Sequence, residues 1–385
     1  MQALGRDGRA LAEALLTLCP AHKRTPLHRL PALAAALGVG SIAVKDEGFR
    51  LGLKSFKALG GAYAVMRLVL GRVEAALGRP VDPRALVSDT VRAIAAGMTL
   101  CCATDGNHGR SVAAGARLVG SPCVIFVHGG VSPERVAAIA AFGARIVTVP
   151  GSYDDSVVEA ARQASQNGWT VVSDTSWDGY EDIPLTVMQG YTVMAGEAFD
   201  ALPGPPTHVF VQAGVGGVAA AVCAHAHDIF GVAAPKLVVV EPERAACLFA
   251  SARAGRLASA PHGEATIMGM LECHEPSPIA WEILGALAGG FVTLPESAAV
   301  EALNRLARPL HDDPPIVAGE SGCAGLAGLI ACLRDPAARD ALGLDAAARI
   351  LIFNTEGATD PALYRSLVDM GAGDVAGGGV ARGGH

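Results

Sequence analysis

Two lysines three residues apart, Lys54 and Lys57 in GLKSFKALGG (52–61), stand where a helix should begin. Ser55 is placed to cap that helix, and FKALGGAYAVMRLVL would continue it. Lys57 then falls in the first turn, where the positive end of the helix disfavours an ammonium. A lysine must lose its proton to attack a carbonyl, so a helix start suits a nucleophile. Two solvated surface lysines would satisfy the same residues. A second helix start lies in ATDGNHGRSVAAGARLVG (103–120), where amides near Asn107 could receive an anion. An ordinary turn capped by Asp105 or Asn107 is the competing account. A third is HVFVQAGVGGVAAAV (208–222), in which Gly214, Val215, Gly216 and Gly217 join a strand to a helix. No Lys or Arg lies in that loop, so backbone amides would hold a phosphate there. GVGGVA also satisfies the dinucleotide fingerprint, with Glu241 placed as a ribose-binding acid. A nicotinamide-dependent dehydrogenase is thus one reading, and plain helix–strand packing another.

The elements that would position these residues follow from the apolar pattern. The runs 41–47, 122–130, 144–151, 169–175, 207–214, 236–242 and 348–357 are short and rich in β-branched residues. Each leads into a polar or Gly turn and then an Ala-rich stretch. Continuous apolar strands alternating with helices predict an α/β fold with parallel sheets covered on both faces. Ligands in such folds bind beyond the carboxyl ends of the strands. Asp174, at the end of WTVVSD, is therefore a site candidate. The stretch 261–278 reads as a long irregular loop.

Composition narrows the function classes. The 385 residues are 51% hydrophobic and 17% charged, enough to bury a large core or two. The net charge of −7, without a basic block, argues against nucleic acid. Residues 211–227 come nearest to a membrane span, but Gln212 and two His interrupt them. The first 16 residues are amphipathic and carry acids, unlike a signal peptide. Nine scattered Cys without CxxC fit a reducing cytoplasm, although Cys247 and Cys273 flank a loop and could meet. His225, His227, Cys273 and His274 lack partners at ligand spacing, so no metal is expected.

The three helix starts, in this order, resemble the fold-type II pyridoxal 5′-phosphate enzymes, and among them the diaminopropionate ammonia-lyase family. The resemblance runs through 25–65, 103–113, SDTSWDGYEDIP (173–184), 212–222, 239–255, TIMGMLEC (266–273), 319–329 and FNTEGATDPALYR (353–365). It implies a fold like that of the tryptophan synthase β subunit, with two open, twisted, mostly parallel sheets flanked by helices. It implies a smaller domain at 66–185 and a larger pyridoxal phosphate-binding domain from 1–65 and 186–385; the Gly-rich composition of the tail 371–385 predicts disorder there. It also implies a homodimer. Lys57 would carry the cofactor, Asn107 would bond its ring hydroxyl, Gly214–Gly217 would hold its phosphate, and Thr355 would meet its ring nitrogen. Asp105 and Asp174 would serve as acid and base with Lys57. The implied reaction is α,β-elimination on D- or L-2,3-diaminopropionate or a close analogue, giving pyruvate and ammonia. A serine or threonine dehydratase of the same fold is the neighbouring reading. Asp178, Glu181 and Asp182 would favour a cationic substrate if they faced the site, and would otherwise form a solvated loop. The chain departs from the family pattern at Gly48, His274 and Ala358.

Overall fold

A computed structural model describes residues 2–104 and 106–369 of the chain; Asp105 and the tail 371–385 lie outside the described residues. Ten strands run β1 (Leu27–Arg29), β2 (Ser41–Asp46), β3 (Leu100–Ala103), β4 (Cys123–His128), β5 (Arg145–Val149), β6 (Thr170–Val171), β7 (His208–Gln212), β8 (Lys236–Pro242), β9 (Gly290–Leu294) and β10 (Arg349–Asn354). They form two sheets. Contacts divide the chain into two units, one from 24–49 with 194 onward, the other from 2–23 with 50–193. The span 66–185 lies inside the second unit, whose bounds are wider.

The first unit holds the six-stranded sheet, in the order β1-β2-β10-β7-β8-β9. Every pairing in it is parallel except β1 with β2. β7 and β10 are buried along almost their whole length, which explains the apolar runs VFV and ILIF at their centres. The core on one side joins Val238, Val240, Ile350 and Ile352 of the sheet to Leu326, Leu329 and Ile330 of the Ala324–Arg334 helix. Removing such side chains from water, at about 25 cal/mol per Å² of apolar surface, holds the layers together.

The second unit holds the four-stranded sheet β5-β4-β3-β6, parallel throughout. Its central strands are buried, and Val124, Phe126 and Cys101 pack against Ala160 and Ala164 of the Tyr153–Asn167 helix. On the helices, Ser111 of the Asn107–Val119 helix accepts from the Ala62 amide and donates to the Ala58 carbonyl, both at 2.9 Å. That bond fixes the Lys57–Leu77 helix against its neighbour at the end where Lys57 stands. Among the described residues no helix is long and apolar enough to cross a membrane.

Three strands, β1, β3 and β9, lie outside the apolar runs expected to be strands. The stretch 261–278 is largely irregular, as expected, with a single short turn of helix at Gly269–Leu271.

Candidate active site

Both sheets contain a point where the chain reverses the direction in which it adds strands. In the second unit β4 and β5 extend from one side of β3, whereas β6 lies on the other. The connections therefore leave β3 and β6 on opposite faces and open a crevice beyond their carboxyl ends. Asp174 follows β6 there. Its Oδ2 lies 2.9 Å from Lys57 Nζ, with the two side chains 15% and 24% exposed. Burial would raise the Asp174 carboxyl; the Lys57 ammonium, and then His108, outweigh that and hold it well below the usual carboxylate range.

Lys57 begins its helix, but Ser55 is not the residue adjacent to the first turn. Phe56 takes that place, and Ser55 Oγ accepts from the Lys57 amide at 3.3 Å. Lys54 is exposed and adopts a left-handed backbone, φ +61°. Of the two lysines in the motif, only Lys57 is thus paired with Asp174.

The Asn107–Val119 helix starts at the end of β3. In the turn before it, Thr104 Oγ1 accepts from the Gly106 and Gly109 amides at 3.0 and 3.1 Å. Asn107 stands at the first helical position. His108, next to it, is buried, and its Nε2 lies 2.8 Å from the Val172 carbonyl. A carbonyl only accepts, so Nε2 carries the proton. Nδ1 faces Asp174 Oδ2 at 3.8 Å. Tyr180 braces Asp174 from the other side of the chain. Its hydroxyl accepts from the Ser173 amide at 3.0 Å and donates to the Val171 carbonyl at 2.8 Å. Trp177 stacks on the Tyr180 ring at 4.0 Å. Asp178, Glu181 and Asp182 are exposed, so of that acidic cluster only Asp174 joins the lysine.

The first unit has the same device. β8 and β9 extend from one side of β7, and β10 lies on the other. The Gly214–Gly217 loop follows β7 and Thr355 follows β10. Gly216 has φ +102°, a value that suits glycine, and precedes the Gly217–Phe230 helix without a side-chain cap. The first amides of a helix have no partner within it, so this start can receive an anion. Gly214 sits against Cys273, whose Sγ would lie 2.8 Å from an added Cβ. Cys247 Sγ donates to the Gly214 carbonyl at 3.6 Å, and no disulfide joins Cys247 to Cys273. Thr355 is 3% exposed, and its Oγ1 accepts from Gln212 Nε2 at 2.7 Å.

The dinucleotide reading fails at Glu241. That side chain is fully buried, and its two oxygens accept from the Leu248 and Phe249 amides at 2.8 and 2.7 Å. It caps the Cys247–Ala254 helix and is closed off from solvent, out of reach of a ribose. Burial pushes its carboxyl up to about 7. Among the described residues no group of three His, Cys, Asp or Glu side chains could hold a metal ion.

Residues reasoning from sequence did not select are His108, Thr104, Tyr180 and Gln212. His108 adjoins Asn107 in GNHG, a signal that was present; the other three take their roles from partners the local pattern does not name.

Comparison with known proteins identifies the family. Residues 18–356 match the model of the pyridoxal-phosphate dependent enzyme family. Diaminopropionate ammonia-lyase of Escherichia coli (strain K12) is 39% identical over 362 residues, covering 92% of this chain and 89% of that protein. The crystal structure of the Escherichia coli lyase in complex with an aminoacrylate-PLP azomethine reaction intermediate matches with a TM-score of 0.86 and 37% identity, covering 96% of this chain and 93% of that one. The same lyase in complex with D-serine matches with the same TM-score, 36% identity and the same coverage. With a family match spanning most of its length and two strand-order reversals holding its polar residues, this chain belongs to the pyridoxal-phosphate dependent enzymes.

Proposed function

We propose that the chain catalyses α,β-elimination of 2,3-diaminopropionate, in the D form, the L form or both, to pyruvate and ammonia. The observation that carries this reading is the Lys57–Asp174 pair at 2.9 Å, at the reversal point of its sheet. Pyridoxal phosphate, when bound, supplies an electron sink for the charge left at a carbon that loses a proton. The residues present fit that group. Lys57 offers a primary amine beside a carboxylate. The uncapped helix start at Gly216 and Gly217 offers amides to a phosphate. Among the described residues no acceptor takes the proton of the buried Thr355 hydroxyl, which suits a ring nitrogen. Asn107 would bond the ring hydroxyl.

In this reading Lys57 takes the α-proton of the L substrate, and Asp105 that of the D substrate. Asp174 holds the lysine's proton between steps and accepts the β-ammonium of the substrate, which explains a preference for a diamine. A hydroxyl at the ring nitrogen, unlike a carboxylate, leaves that nitrogen neutral and so favours a substrate that expels its β-group quickly. We extend the reading to a homodimer, on the family resemblance alone, and to the cytoplasm, on the scattered cysteines without CxxC; sedimentation measures the first.

A substrate panel tests the reaction: D- and L-diaminopropionate, serine and threonine, with ammonia and keto acid both measured. The purified protein should be yellow and bleached by borohydride. Ammonia and pyruvate should form fastest from diaminopropionate, and Lys57→Ala should lose activity by more than about 1,000-fold. Faster release from serine would replace the lyase with a dehydratase. Unchanged turnover in Lys57→Ala would end both.

A further inference from the structure

Gln212 closes β7 and is 1% exposed. Its Nε2 faces four acceptors: the carbonyls of Ser321, Gly322 and Phe353 at 3.1, 2.9 and 3.1 Å, and Thr355 Oγ1 at 2.7 Å. Its Oε1 is buried with no hydrogen-bond partner. Turning the amide over would set that oxygen against three carbonyl oxygens, so the nitrogen must face them. The bond to Thr355 is the shortest of the four.

This arrangement settles the direction of a bond that involves no charge. An amide nitrogen only donates. Thr355 must therefore turn a lone pair towards Gln212, and its single proton has to point elsewhere. No described residue receives that proton. A threonine hydroxyl left to itself would rotate freely between donating and accepting. Here one of its two faces is occupied, and the other is committed to donation.

The geometry points to Gln212 as a positioning residue that sets Thr355 as a hydrogen-bond donor to the ring nitrogen of the cofactor. The inference rests on the reading that places Thr355 at that nitrogen. Gln212 touches neither substrate nor cofactor in this account. It acts through the hydroxyl, keeping it from offering a lone pair to the ring, an arrangement that would call for a protonated nitrogen.

The test uses the holoenzyme reconstituted with pyridoxal phosphate carrying a nitrogen label in the ring, and reads the nitrogen NMR resonance. Three variants are compared with the unmodified protein. Thr355→Val removes the hydroxyl and gives the resonance of a ring nitrogen without its donor. Gln212→Glu keeps the size of the side chain but lets an oxygen accept the Thr355 proton. Gln212→Met removes the donor without adding an acceptor, and serves if the Glu variant does not fold. The Gln212 variants should move the resonance in the same direction as Thr355→Val, and turnover should drop about 5- to 10-fold, the effect of one neutral hydrogen bond. A residue that only ties strands together would leave the resonance where it is. If Thr355→Val shifts the signal and the Gln212 variants do not, the inference fails and the site reading stands. If Thr355→Val itself leaves the signal unmoved, Thr355 is not at the nitrogen and both fail.

Discussion

Lys57 is held by a helix that crosses another at two glycines, and the crossing can be tested without touching the site. An added Cβ at Gly190, on the Asp182–Ala201 helix, would lie 2.9 Å from both Gly60 Cα and the Leu59 carbonyl oxygen. Both atoms are backbone, so no side-chain rotation relieves the contact. Reaching an ordinary separation near 3.4 Å requires a shift of about 0.5 Å between the helices, and such overpacking costs about 1–3 kcal/mol. Gly71 lies on the Lys57 helix itself and has nothing within 4 Å of an added Cβ. Alanine improves a helix interior over glycine by about 0.8–1.0 kcal/mol at either position. That gain cancels when the two variants are compared, leaving the clash alone. Gly71→Ala should therefore melt above the unmodified protein and Gly190→Ala below it, with a gap of about 1–3 kcal/mol. At roughly 1 °C per kcal/mol for a chain of this length, calorimetry should resolve it. Gly60 stands one turn from Lys57, so the same shift disturbs the 2.9 Å approach of Nζ to Asp174. Displacements near 1 Å cost about 100-fold in rate, and about tenfold is expected for Gly190→Ala, with Gly71→Ala fully active. Equal melting temperatures, or full turnover in Gly190→Ala, would show that close approach at Gly60 does not position the lysine.

Two further outcomes follow from buried carboxylates. Burial raises the Glu241 carboxyl from 4.5 to about 7, so between these values the folded chain binds a proton that the unfolded chain has released. Stability from this group is complete below about pH 4.5 and falls as pH rises to about 7, by about 3 kcal/mol in all. Urea midpoints at pH 5 and pH 8 should therefore lie closer together in Glu241→Gln than in the unmodified protein; an unchanged separation would refute the assignment. Asp174→Asn keeps an oxygen for Lys57 but removes the charge that holds its proton. Turnover of diaminopropionate should fall by about 100- to 10,000-fold, the usual contribution of a positioned acid or base, while the variant still binds pyridoxal phosphate. A loss confined to KM would make Asp174 a binding group only.

What could be read from the chain and what could not divide along a physical line. Buried parallel strands are apolar through their centres, as in VFV of β7 and ILIF of β10, so they announce themselves. β3 is only Leu100-Cys101-Cys102-Ala103 and β1 only three residues, too short for any period to show. Lys57 and Asp174 were legible because a helix start and a strand end are local events. The partners of polar side chains are not local. Thr104 braces the GNHG turn because its hydroxyl reaches two amides at once. Glu241 matches the position of a ribose-binding acid, and only the return of the chain at Leu248 and Phe249 removes it from that role. Gln212 meets Thr355 across 143 residues, a meeting made possible because β10 inserts beside β7 instead of following β9 at the edge. The same insertion opens the crevice at which both residues stand. Strand order thus decides at one stroke where a ligand can bind and which polar side chains line up to orient it. A motif that names the loop after β7 leaves that second consequence unread.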